Sequence, residues 1–250
     1  MMGGTEQSWI DPADPTHLEF DYVQRIADAI DLHAPAGQRI RIIHIGGAAM
    51  TLPRYVAHTR PSSAQIVLEP DAELTARVRE TIPLPRNSGI KVRPTDGRSG
   101  IAEMRDDYAD VVVVDAFAGP MIPADLTSLE FYVDAARVLV GDGTIMVNIT
   151  DRAPFAYARR VVAGVAEVFG EVVLSAESAT IKGRRFGNLV ILGSAALPVS
   201  DLVRCAAGSA FPYRLVHGRA LTKWLAGARP FTDADPGISP GPPDGRTFFG

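Results

Sequence analysis

Arg39-Ile-Arg-Ile-Ile-His-Ile45 is an apolar, β-branched run that stops at Gly46-Gly47, and residues 51–58 then read as the start of a helix. A strand that turns on glycine into a helix lets the backbone approach a ligand closely, with a helix N-terminus facing it. This unit predicts a nucleotide-type cofactor site. Its turn carries Ala48 and Ala49 where a more polar loop is expected.

The remaining pattern repeats the same alternation. Strand-like runs fall at 65–69, 90–92, 110–115, 144–149, 171–176 and 188–192, the fourth-strand run Asp110-Val-Val-Val-Val-Asp115 being typical of a strand buried on both faces. An amphipathic helix is expected from Asp14-Pro15-Thr16 to Pro35, with Leu18, Tyr22, Ile26 and Ile30 at spacings of four. Further helices are expected at 71–82, with Leu74, Val78 and Ile82 on one face, from Asp96-Gly97 to 104, at 154–169, at 201–207 and at 220–225. Another spans 127–140, opened by Thr127 and Glu130 as a capping box and stopped by Gly141-Asp-Gly143. The pattern predicts an α/β fold with a mainly parallel seven-stranded sheet covered on both faces and a closing antiparallel strand pair. One domain is expected over 14–225, after an arm at 1–13 anchored by Trp9 and Ile10 and before a Pro- and Gly-rich tail at 226–250.

Bulk properties narrow the partners. A formal net charge of -4 gives no electrostatic reason to expect nucleic acid. No run approaches the ~18 consecutive apolar residues of a membrane span, and the first residues lack a basic region followed by an apolar one. A cytoplasmic protein without membrane partners is expected. Cys205 is the single cysteine, which excludes an internal disulfide, and the five histidines have no metal-ligand spacing, so no metal is expected.

Ligands of open α/β sheets bind beyond the C-terminal ends of the strands. Glu69, Asp96 and Asp115 all fall at or just after such ends, as do Gly46 and Gly47. A carboxylate after the second strand can accept from both ribose hydroxyls. Asp96 followed by Gly97 can accept from an adenine amino group and leave room for the ring, and Asp115 lies near the chemistry. Singly, each acid could equally cap a helix or a turn; jointly with Gly46-Gly47 they favour a ligand. A dinucleotide fingerprint fits poorly, because its third and sixth turn positions are Ala48 and Thr51, and a Walker-type Gly-Lys-Ser/Thr is absent. An S-adenosyl ligand, whose sulfonium needs no phosphate cradle, fits better.

Tyr22, Ile45-Gly-Gly-Ala-Ala, Leu68-Glu-Pro-Asp71, Asp96-Gly97 and Asp110 through Pro120, in that order, resemble the spermidine synthases, most of all an actinobacterial branch. The resemblance covers roughly residues 14–192. It implies a Rossmann-like class I methyltransferase fold, an S-adenosyl-binding domain over 14–225, and aminopropyl transfer from decarboxylated S-adenosylmethionine to an amine, with Gly46, Gly47, Ala48, Pro70 and Gly97 around the cofactor, Glu69 on its ribose, Asp96 on its adenine, and Asp115 as the acid beside the attacking nitrogen. Tyr22 and Phe117 would face the acceptor.

Three polar positions of that family are apolar here. Ala48 and Ala49 replace a glycine and an aspartate of the turn, Ala118 replaces a second aspartate after Asp115, and Val23 follows Tyr22 where a glutamine or histidine is usual. Each lost charge-assisted hydrogen bond is worth about 1.5–3 kcal/mol, so ordinary putrescine chemistry is not expected. The cofactor is then S-adenosylmethionine or its decarboxylated form, with methylthioadenosine as product, and the acceptor a small amine or other small molecule. A methyltransferase and a non-catalytic adenosine-binding module stay open, as does a homodimer. Asp151 and Arg152 follow another strand end and could touch an acceptor; Lys182-Gly-Arg-Arg185 reads as a solvated hairpin turn.

Overall fold

A computed structural model describes residues 10–47 and 49–242. The elements run α1 (Asp21–His33), β1 (Arg41–Ile45), α2 (Thr51–Thr59), β2 (Ala64–Leu68), α3 (Ala72–Thr81), β3 (Ile90–Arg93), α4 (Gly97–Ala102) and β4 (Ala109–Val114) in the first half. The second half runs α5 (Leu129–Val138), β5 (Leu139–Asp151), α6 (Ala156–Val168), β6 (Glu171–Glu177), α7 (Ser178–Ile181), β7 (Gly187–Ser194), α8 (Val199–Gly208), β8 (Tyr213–His217) and α9 (Gly218–Leu225). One sheet has the order β3-β2-β1-β4-β5-β7-β6-β8. β1 to β5 are parallel neighbours, and β7 runs antiparallel to both β5 and β6. This is the expected class I methyltransferase-like α/β architecture.

Period-two alternation splits the sheet into two cores. Ile43, Ile45, Val112, Val114, Ile145 and Val147 face α4, α5, α6 and α9, while Ile42, Val111, Val113 and Met146 face α1, α2 and α8. β1 is flanked by β2 on one side and β4 on the other, so the strand order reverses there and a crevice opens beyond the ends of β1 and β4.

Several expectations are corrected. The sheet has eight strands, not seven, because Tyr213–His217 pairs antiparallel with β6 as an added edge. α1 begins at Asp21, not Asp14; the Asp14 carboxylate instead accepts from the Thr16 N–H and hydroxyl at 2.9 and 2.6 Å, forming a separate turn. The cap of α5 is Ser128, whose Oγ accepts from the Phe131 N–H, and Glu130 accepts from the Asp233 N–H instead of closing a capping box. Gly141-Asp-Gly143 does not end a helix in a turn: β5 runs through it. On α3 the buried residue is Thr75, and Leu74 and Val78 are only partly covered because the helix lies at the margin of the sheet. Lys182–Arg185 follows the short helix α7, with Arg185 paired to Glu177.

Beyond α9 the chain has no regular element among the described residues, yet it is tied down. Phe231 is buried against Tyr157, and Asp233 and Asp235 pair with Arg98 and Arg160. Ser239, 2% exposed, accepts at Oγ from the Ile122 N–H at 2.8 Å. Trp9, expected as an anchor, lies outside the described residues, as does Ala48.

Candidate active site

The two strand ends at the crevice touch. Gly46 has φ +78, and a Cβ on it would stand 2.4 Å from the Asp115 carbonyl oxygen, so only glycine fits this corner. Its N–H donates to the Leu68 carbonyl at 3.0 Å, and the Asp115 N–H donates to the Ile45 carbonyl at 2.9 Å. The ends of β1, β2 and β4 are thereby locked together. They open onto a cavity of about 840 Å³, within the ~300–1,000 Å³ of small-molecule sites.

Each expected site residue with described coordinates lines this cavity: Tyr22, Gly46, Gly47, Glu69, Pro70, Asp96, Gly97, Asp115 and Phe117. The acids also organise the turns around it. Glu69 Oε2 accepts from the Gly47 N–H at 3.2 Å and Oε1 from the Asp71 N–H at 3.0 Å. Asp71, not Glu69, caps α3. Asp96 is exposed toward the cavity and caps α4 by accepting from the Ser99 N–H at 2.8 Å, which holds its carboxyl below the ordinary aspartate range.

Asp115 has a different environment. It is only partly exposed, and burial pushes its carboxyl above the ordinary range, partly offset by hydrogen bonds from Asn148 and Tyr22. The Asn148 amide donates to Oδ1 at 2.9 Å, and the Tyr22 hydroxyl lies 3.5 Å from Oδ2. A carboxyl raised by burial and open to a cavity is suited to taking up a proton. Phe117 lines the cavity and also packs against the larger core, so its wall and plug roles coincide.

The charged side chains of the described lining are Glu69, Asp71, Asp96, Asp115 and Asp125, all acids, and no lysine or arginine is among them. His44 of β1 also reaches the lining, but it is 2% exposed and neutral, burial having lowered its pKa to about 4. Gln65 donates its amide to the Pro53 carbonyl at 3.0 Å and presents Oε1 to His44 Nε2 at 3.0 Å, so the imidazole proton sits on Nε2. Ala49, Ala118 and Val23 line the same space without a charge.

No family model matches the chain. It is similar to the polyamine aminopropyltransferase of Vibrio vulnificus (strain CMCP6), 27% identical over 140 residues, which are 55% of this chain and 46% of that protein, so the match spans less than half of the relative. It is also similar to a crystal structure of a probable spermidine synthase from Corynebacterium glutamicum ATCC 13032, with 33% identity, a TM-score of 0.79, and coverage of 88% of this chain and 82% of that one. The chain belongs to the spermidine synthase-like family. Human methyltransferase-like protein 13 in complex with SAH shares the fold at a TM-score of 0.56 and 19% identity, over 85% of this chain and 92% of that one.

Within this spermidine synthase-like frame, some assignments change. Asp151 does not reach the cavity: its two oxygens accept from the Arg152 and Ala158 N–H groups, at 2.7 and 2.8 Å, where α6 begins. Thr150, Phe186 and Asn188 line the cavity in its place. Asn148 and Asn188 are absent from the sequence-level expectations, as are Gly241 and Pro242, which bring the C-terminal segment to the cavity wall. A usable signal for Asn148 is a lone amide in an otherwise apolar strand run, Thr144-Ile-Met-Val-Asn-Ile149, since a buried amide demands partners.

Proposed function

We propose that this protein is a transferase that binds an S-adenosyl-type cofactor and moves a group from it to an amine less polar than putrescine. The observation that carries this reading is the convergence of Glu69, Asp96 and Asp115 around Gly46-Gly47 in a cavity whose described charged lining is entirely acidic. Glu69 is placed to accept from the ribose, and Asp96 from the adenine. When bound, the cofactor supplies an electrophilic carbon beside a sulfonium. The carboxylates attract that cation, and Asp115 takes a proton from the acceptor nitrogen. The complex of a fold neighbour with SAH supports the choice of an adenosyl ligand.

The same charge pattern ranks the cofactors. Ala49 removes an acid that would repel the carboxylate of S-adenosylmethionine, but no described lining cation takes that carboxylate up. Decarboxylated S-adenosylmethionine is therefore favoured, with methylthioadenosine as product. The acceptor end offers one carboxylate, Asp115, among Ala49, Ala118, Val23 and Phe117. A dication such as putrescine wants an acid at each end. A monoamine with an apolar body meets this wall better.

Calorimetric titration with S-adenosylmethionine, its decarboxylated form and methylthioadenosine tests the binding half. Incubation with decarboxylated cofactor and a panel of mono- and diamines, read by product mass spectrometry, tests the transfer. Asp115→Asn should abolish product while methylthioadenosine still binds. Failure of all three adenosyl ligands to bind would refute the reading.

A further inference from the structure

On the α1 face of the sheet, neighbouring strands each send one polar side chain toward the same point: Asp115 from the end of β4, Asn148 from β5 and Asn188 from β7. Asn148, 1% exposed, donates from Nδ2 to Asp115 Oδ1 at 2.9 Å, and its own Oδ1 accepts from Asn188 Nδ2 at 3.1 Å. Arg25 of α1, 3% exposed, braces the strands behind them, donating to the Ser175 carbonyl at 2.9 Å and the Asn188 carbonyl at 3.4 Å. An amide has a donor end and an acceptor end. With its oxygen engaged by Asn188, Asn148 offers Asp115 only N–H. Oδ1 is thus held as an acceptor, and a proton on this carboxyl belongs on Oδ2, the oxygen facing Tyr22. Protonation of Oδ1 would require both amides to turn over.

We propose that Asn148 and Asn188 are positioning residues that fix Oδ2 of Asp115 as the atom receiving the acceptor's proton. The inference rests on the transferase reading for its chemistry, though not for its geometry. In the transfer, the proton leaves the acceptor ammonium for Oδ2, the freed nitrogen pair forms the new N–C bond, and the C–S pair returns to sulfur as a thioether. Charge and electrons balance. Among the described residues, the titratable and charged groups around Asp115 are Tyr22 of α1, backed by Asp21 and Arg25, and the neutral His44 on the same face of β1, and β5 and β7 contribute only the amides.

The test uses the full chain without ligand, labelled with ¹³C at its aspartate carboxyl carbons, Asp115 being assigned through Asp115→Asn. In the wild type Asp115 titrates above the exposed aspartates. Asn148→Leu removes the donor to Oδ1, and Asn188→Leu frees Asn148 to rotate; both should move the Asp115 titration further upward, Asn148→Leu by more. With an accepted amine, the acid limb of the pH–rate profile should move in the same direction and kcat at neutral pH should fall on the order of ten- to a hundredfold. An Asp115 titration unchanged in the folded variants overturns the proposal, and because the two sites lie on different strands, either variant alone suffices. A titration that moves as stated in a protein that transfers to no amine supports the positioning role and refutes the transferase reading.

Discussion

Gly46→Ala is the most informative single perturbation, because the structure specifies what the added methyl group meets. At φ +78 an alanine pays about 1–2 kcal/mol for the left-handed backbone. The new Cβ would also lie 2.4 Å from the Asp115 carbonyl oxygen and 2.8 Å from the Ala116 Cα, both backbone atoms with no rotamer to escape into. Opening those contacts to van der Waals distance needs a shift of about 1 Å between the ends of β1 and β4. The hydrogen bonds Asp115 N–H to Ile45 and Gly46 N–H to Leu68 resist that movement. Overpacking of this kind costs about 1–3 kcal/mol, giving a total of about 2–5 kcal/mol. Urea unfolding should show a lowered midpoint at unchanged slope, and each lost kcal/mol should lower Tm by ~2–4 °C for a chain of this size. Methylthioadenosine binding should weaken at temperatures where the variant remains folded, since Asp115 moves with its carbonyl. A variant within ~0.5 kcal/mol of wild type would refute the account of this corner.

Asp115→Asn should stabilise the protein at neutral pH while removing transfer. The folded carboxyl is raised above its unfolded value, so ionisation costs stability once pH exceeds the unfolded pKa, and the cost is complete above the folded one; the advantage of the asparagine variant should fade as pH falls through that window, as thermal melts across pH would show. Glu69→Gln should weaken adenosyl binding and also loosen the turn, because one carboxylate serves both the Gly47 and Asp71 N–H groups; calorimetry should report a loss of about 1.5–3 kcal/mol. Ala49→Asp combined with Ala118→Asp should raise turnover with putrescine relative to monoamines, measured as the ratio of kcat/KM values.

The part of the site that was legible in the sequence is the part that strand ends dictate. Gly46, Glu69 and Asp115 each follow an apolar run, Asp96 comes three residues after the short strand β3, and a parallel sheet gathers such positions at one edge whatever the intervening lengths. Asn148 and Asn188 obey no such rule: they meet because β7 returns antiparallel beside β5, and pairing register across separate strands is not written in local spacing. β8 leaves no signal in the sequence, because Tyr213-Arg-Leu-Val-His217 is an edge strand with only Tyr213 buried and shows neither a buried run nor clean alternation. The helix expected from Asp14 starts at Asp21 with no side-chain cap, because the Asp14 carboxylate closes its own turn onto Thr16, and the helix expected from Thr127 is capped by Ser128. The reach of the C-terminal segment to the cavity depends on Phe231 and Ser239 finding buried sites far away in sequence.

If the protein is the transferase proposed, the acidic charged lining formed by the described residues acts on the order of events as well as on selection. A sulfonium approaches down a negative field, so its capture should slow as ionic strength rises, whereas neutral methylthioadenosine should enter at a rate indifferent to salt. In the proposed transfer, breaking the C–S bond removes the positive charge from the adenosyl half and leaves it on the amine. The spent thioether loses its electrostatic hold in the same step that creates it, and Asp115, carrying the transferred proton, holds the alkylated amine by charge again only once that proton has left.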